Sequence, residues 1–95
     1  MIFFSPDAAS DIERVREFLD INYPDAARQA LRVIWVALEK VQEFPNLGRR
    51  TEDAEIRQIV IRFGAAGYIL RYTILPERGD VLVLRIWHGR EARPL

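Results

Sequence analysis

Apolar and polar positions along this 95-residue chain follow different rhythms in different stretches. The densest apolar run is Val81-Leu82-Val83-Leu84, followed by Ile86 and Trp87, with Arg85 as the one charge inside it. That pattern predicts a strand over residues 81–88 with both faces buried, the central strand of a sheet. Near the other end, Ile2, Phe3 and Phe4 form a short apolar run closed by Ser5-Pro6-Asp7. Serine can cap a first helical turn, proline fits its first position and aspartate suits its dipole, so a strand followed by a helix is expected. Over residues 7–22, Ala8, Ile12, Val15 and Leu19 recur at helical spacing with Phe18 and Ile21 beside them, while Asp11, Glu13, Arg14, Arg16, Glu17 and Asp20 face elsewhere.

Tyr23-Pro24 breaks this helix, and Pro24 opens a second one to about residue 44, giving a helical hairpin. Around Ile34 the apolar residues Ala27, Ala30, Leu31, Ala37, Leu38 and Val41 cluster, and Ala26, Val33, Trp35 and Phe44 widen the stripe to roughly 200°, about twice what a surface helix needs. Val36 lies outside it, among Arg28, Arg32, Glu39 and Glu43. Such a stripe is either buried by its neighbours within the monomer or serves as a partner-binding groove. Phe44-Pro45-Asn46-Leu47-Gly48-Arg49-Arg50 reads as a turn, and the polar stretch that follows to Glu55 as loop. Strand-like runs follow over residues 56–63, 67–75 and 81–88, with short connections that make them antiparallel neighbours. The expected fold is α+β, in the order β-α-α-β-β-β, an antiparallel sheet with the helical hairpin on one face.

Strict alternation groups Leu82, Leu84 and Ile86 on one side of the last strand and Val81, Val83, Arg85 and Trp87 on the other. In the preceding strand Tyr68, Leu70, Tyr72 and Ile74 oppose Ile69, Arg71, Thr73 and Leu75. Neither strand has a polar face. The side away from the helices is then apolar with arginines set into it, which suits an interface or a ligand-binding concavity. Alternatively Arg71 and Arg85 pair with Glu55, Glu77 or Glu91 as structural salt bridges.

Charge sharpens this picture. The net charge is zero, yet residues 1–48 carry eight acids against five bases and residues 49–95 six against nine. All the bases but Lys40 are arginine, the side chain suited to planar contact with carboxylate or phosphate. From Ile56 to Pro76 there is no acid, only Arg57, Arg62 and Arg71, and Arg85, His88, Arg90 and Arg93 follow. With Tyr68, Tyr72 or Trp87 nearby, these residues suit a phosphodiester and a stacked base, and a solvated basic rim is the plainer alternative. One histidine and no cysteine argue against a metal centre, and no cofactor is expected. No glycine loop precedes a helix, and Ser5 and Ser10 lie far in sequence from His88, so nucleotide-binding and serine-hydrolase chemistry drop out. At this length a single domain over residues 1–95 is expected, and without a leader-like or membrane-spanning stretch, a soluble cytoplasmic one.

Four stretches taken together resemble the ParE/RelE superfamily of bacterial toxins, and ParE more closely than RelE. They are Phe4-Ser5-Pro6-Asp7-Ala8 with Asp11-Ile12 behind it, Phe44-Pro45-Asn46-Leu47-Gly48, Tyr68-Ile69-Leu70-Arg71-Tyr72, and Leu84-Arg85-Ile86-Trp87-His88-Gly89-Arg90. The resemblance implies the toxin of a type II toxin-antitoxin system that inhibits DNA gyrase and is neutralised by a ParD-type antitoxin. It further implies a hetero-oligomer that contacts DNA through the antitoxin. It makes Arg85, Trp87, His88, Gly89 and Arg90 the target-binding candidates, and Val33, Trp35, Val36, Ala37, Arg71 and Tyr72 the antitoxin-binding ones. RelE-type relatives cut messenger RNA on the ribosome, and on that reading His88 is the general acid or base while Arg71 and Arg85 clamp phosphate. The lysine-rich cluster of RelE is missing here, where Lys40 stands alone. A third implied possibility is a non-toxic relative retaining only the antitoxin surface.

Overall fold

The computed structural model describes residues 1–22, 24–64 and 67–89. The chain runs β1 (Ile2–Phe4), α1 (Pro6–Asn22), α2 (Pro24–Glu43), β2 (Arg49–Arg50), β3 (Ile56–Ile61), β4 (Tyr68–Ile74) and β5 (Val81–His88). The five strands form one sheet in the order β1-β5-β4-β3-β2. β1 lies parallel to β5, and every other neighbouring pair is antiparallel.

Ser5 joins the first strand to the first helix. Its hydroxyl oxygen accepts the Ala8 N–H at 3.0 Å, as a helix cap should, while its own N–H donates to the Val83 carbonyl at 2.9 Å. The helix start is therefore tied to the sheet by the residue that caps it. α1 buries Ala8, Val15 and Leu19, and α2 buries Ala27, Ala30, Ile34, Leu38 and Val41. Both sets follow the three-to-four spacing of a single helical face. They pack on Leu70, Tyr72, Val81, Val83 and Ile86 to form the core. Truncating Ile34 or Leu38 at its centre is worth roughly 2–5 kcal/mol.

Four features depart from the sequence reading. Residues 49 and 50 form a short edge strand paired with Gln58 and Arg57, where the end of a turn was expected. β4 occupies the middle of the sheet, and β5 lies one place out, with β1 covering only its first three residues. β1 runs parallel to its neighbour, so the sheet is mixed. The last departure is a β-bulge: Tyr72 pairs with Val83 and Arg71 with Arg85, which leaves Leu84 without a partner on β4. One extra residue reverses which side each later residue faces. Val81, Val83 and Ile86 therefore share the core, and Ile86 does not stand with Leu82 and Leu84.

A clamp closes the second helix onto the sheet. The Tyr72 hydroxyl donates to the Pro45 carbonyl at 2.6 Å and accepts the Gly48 N–H at 2.9 Å. Arg57 donates to the Gly48 carbonyl at 2.7 Å. A Cβ at Gly48 would stand 2.8 Å from both Cε1 and the hydroxyl of Tyr72, which is why this turn ends in glycine. Among the described residues no helix is long and apolar enough to cross a membrane.

Candidate functional site

Beyond Val83, β5 emerges from the cover of β1 and carries Arg85, Trp87 and His88 toward its end. Its geometry is governed by Asp11, a carboxylate only 1% exposed on the buried stripe of α1. Asp11 Oδ2 accepts the Ile86 N–H and the Arg85 Nε–H, each at 2.9 Å. Its Oδ1 accepts Arg85 Nη2 at 3.0 Å and Arg14 Nη1 at 2.8 Å. Burial pushes this carboxyl up, but the hydrogen bonds from Arg85, Ile86 and Arg14, with the charge of Arg85, outweigh it and hold the group below its ordinary value. The same bonds raise Arg85, so the pair stays ionised.

The arginines expected on the open face are engaged within the chain. Arg85 pairs with Asp11, which was not among the partners expected for it, and of those partners Glu91 lies outside the described residues. Arg71 donates to Gln58 Oε1 at 3.0 Å and reaches Glu52 at 3.4 Å, and its guanidinium carbon lies 5.7 Å from the centre of the Trp87 ring. Trp87 is 4% exposed and sits outside the main core cluster, on the side away from the helices. Arg57 holds the turn at Gly48. His88 packs edge-on against Tyr68, ring centres 5.5 Å apart, and the Phe63 ring lies 6.2 Å from that of Tyr68. Gly89 is exposed and donates its N–H to the Gly67 carbonyl at 3.0 Å. The candidate Arg90 lies outside the described residues, as do Arg93, Glu91 and the helix break at Tyr23. Among the described residues no three of His, Asp and Glu converge on a point where a metal would sit.

A second feature lies between α2 and β3. Val33, Val36, Ala37 and Lys40 of α2, Leu47 of the turn and Ile59, Val60 and Ile61 of β3 line an apolar groove of about 250 Å³. Val36 is 45% exposed, Leu47 52% and Val60 60%, and Trp35 on the same helix is 55% exposed. The wide stripe of α2 is thus only partly used by the monomer. Of the antitoxin candidates, Val33, Val36 and Ala37 meet in this groove. Tyr72 does not reach the surface: it is fully buried and its hydroxyl is committed to Pro45 and Gly48. Burial raises its pKa, against the Gly48 N–H and the nearby charge of Arg57. Arg71 is on the other face, over Trp87.

The groove residues Lys40, Leu47, Ile59, Val60 and Ile61 were not foreseen, since nothing local in β3 announces which helix it borders. Asp11, expected to face away from the apolar stripe with the other charged residues of α1, lies on that stripe instead, buried against the sheet. It falls three residues after Ala8 and four before Val15, an acid on an apolar stripe.

Over residues 2–93 the sequence matches the family described as ParE toxin of type II toxin-antitoxin system, parDE. The chain belongs to this family. Among sequences this ParE-family toxin is similar to the RelE3 toxin of Caulobacter vibrioides, 34% identical over 88 residues that cover 93% of this chain and 92% of that one. It is likewise similar to the RelE1 toxin of the same organism, 35% identical over 92 residues, 97% and 96% of the two chains. In structure it resembles a chain of the chromosomal ParDE toxin-antitoxin system from P. aeruginosa, with a TM-score of 0.76 at 17% identity, covering 94% of this chain and 95% of that one. It also resembles a chain of the intact E. coli RelBE toxin-antitoxin complex, with a TM-score of 0.63 at 19% identity and 98% of each chain. The α+β fold read from the sequence is that of the ParE/RelE superfamily, and the protein is a type II toxin.

Proposed function

We propose that this ParE-family toxin acts by binding DNA gyrase, without cleaving RNA, and that a ParD-type antitoxin neutralises it. The observation that carries the reading is the state of the arginines. A ribonuclease of the kind considered needs guanidinium groups directed at a phosphate near His88. Here Arg85 gives two hydrogen bonds to buried Asp11, and Arg71 is bound to Gln58 and laid over Trp87. Redirecting Arg85 would take two charge-assisted hydrogen bonds from a buried carboxylate and leave it to Arg14 and the Ile86 N–H, a cost of roughly 1.5–3 kcal/mol. The end of β5, with Trp87, His88, Gly89 and the neighbouring Arg85 and Arg90, is the target-binding end on this reading. The groove of α2 and β3, with Trp35 beside it, receives the antitoxin. The complex would be a cytoplasmic hetero-oligomer, with DNA contacted through the antitoxin.

The names of the two Caulobacter relatives favour a second reading, mRNA cleavage with His88 as the proton-transfer group. Purified toxin added to a gyrase supercoiling reaction, and in parallel to a translation reaction followed by primer extension, separates the two. Loss of supercoiling with intact transcripts is expected. Cut transcripts with supercoiling unaffected would overturn the gyrase assignment.

A further inference from the structure

Where β1 stops, α1 takes over the edge of β5. β1 pairs with Val81, Leu82 and Val83 and ends at Phe4. The next backbone groups along that edge are met from the start of α1. Ser5 N–H donates to the Val83 carbonyl and the Ser5 hydroxyl to the Leu84 carbonyl, each at 2.9 Å. Asp11 then accepts the Ile86 N–H at 2.9 Å, and Arg14 Nη2 reaches the Ile86 carbonyl at 3.4 Å. Side chains thus continue the ladder for three residues beyond the last paired strand residue.

Those residues are the bulge. Leu84 is the unpaired residue, Arg85 follows it, and both groups that Arg85 and Ile86 offer on this side end on the one carboxylate. A single N–H could be capped by a neutral serine or asparagine. A buried aspartate is costly there unless its charge is used, and it holds the backbone N–H and two guanidiniums together. The bulge also sets the side on which each later residue stands. Losing it, so that Arg71 paired with Leu84 and Tyr68 with Trp87, would exchange the faces of Trp87 and His88, turning the first away from Arg71 and the second away from Tyr68.

We propose that Asp11 is a positioning residue for toxicity: by fixing the bulge at Leu84 and Arg85 it keeps Trp87 buried beside Arg71 and sets how His88 and the strand end are presented, without touching the target. This rests on the reading of the β5 end as the target-binding end. The antitoxin groove shares no residue with this network, so the two activities should separate.

The test uses full-length toxin carrying Asp11→Asn or Asp11→Ala, with His88→Ala alongside. Three quantities are measured: the toxin level that arrests growth on induction, the affinity for the antitoxin, and amide hydrogen exchange residue by residue. For Asp11→Asn the arresting level should rise by about tenfold or more, the weight of a charge-assisted bond to a buried group. Antitoxin affinity should stay within about twofold, as for distant sites, and exchange should quicken at Ile86 to Gly89 while Ile34 and Leu70 keep their protection. If Asp11→Ala does not fold, Asp11→Asn, which keeps an acceptor for the Ile86 N–H, remains readable. Unchanged toxicity despite lost protection at Ile86 overturns the proposal, and so does a joint fall of toxicity, antitoxin affinity and protection across the sheet. If His88→Ala leaves toxicity intact, the target-end reading falls and positioning with it. If His88→Ala abolishes toxicity and Asp11→Asn does not, positioning alone is wrong.

Discussion

Replacing Tyr72 by phenylalanine removes one oxygen atom and tests the clamp that closes the α2 turn. That oxygen donates to the Pro45 carbonyl at 2.6 Å and accepts the Gly48 N–H at 2.9 Å. The Gly48 N–H is buried, so losing its acceptor costs about 1–2 kcal/mol, and the half-buried Pro45 carbonyl, which water can partly reach, adds about 1 kcal/mol. The ring itself stays in the core, so no cavity is opened. A total near 2–3 kcal/mol lowers Tm by roughly 10–20 °C in a domain of this size. Urea unfolding of both proteins measures it, with an unchanged slope expected because the surface exposed on unfolding is the same. A loss under about 0.5 kcal/mol would mean that the turn is held by other contacts and that the clamp is incidental.

The same substitution carries a signature at alkaline pH. Burial raises the folded-state pKa of Tyr72 above its unfolded value of about 10, so its contribution is complete below that pH and is lost as pH climbs through the raised value. Tyr72→Phe should therefore lack part of the alkaline destabilisation. Gly48→Ala, whose Cβ would press on the same ring and hydroxyl, should cost a similar amount, and the double variant should lose less than the sum.

Other outcomes follow from neighbouring geometry. Asp11 has a depressed folded-state pKa, so its contribution is complete above about 4 and vanishes as pH falls through the lowered value. Acid unfolding monitored by circular dichroism should show a shallower low-pH limb in Asp11→Asn, and an identical limb would refute the ionised network. Val36→Glu puts a charge in the exposed α2 groove and should leave Tm within a degree or two while weakening antitoxin binding by about 2 kcal/mol or more, read by calorimetry. Gly67 has a φ of 77°, and a Cβ there would run into the Ile61 carbonyl, so Gly67→Ala should cost about 1–3 kcal/mol in thermal unfolding.

The two helices and the runs that became β3, β4 and β5 were legible because their signals are local. Ala8, Val15 and Leu19, or Ala30, Ile34, Leu38 and Val41, carry the period of one buried helical face in their own spacing. Ser5 and Pro6 mark where α1 begins in the same way, the surplus width of α2 pointed to the exposed Trp35, and Val36 stood out as an apolar residue among the charges of the polar side. The order of residues by itself therefore determined these elements, the cap of α1 and the existence of unspent apolar surface.

Tertiary structure alone decided who meets whom. Asp11 and Arg85 are 74 positions apart, and no periodicity links an acid on a helix to a base on a strand. Arg49 and Arg50 became a strand only because Gln58 and Arg57 were there to pair with them. The extra residue at Leu84 put Ile86 into the core against the strict alternation of its own strand. Alternation and helical period are short-range geometry, imposed by each residue on the next few. Register, bulges and ion pairs are settled by the packing of distant segments, where burial free energy and the satisfaction of polar groups choose among arrangements that the local pattern leaves equal.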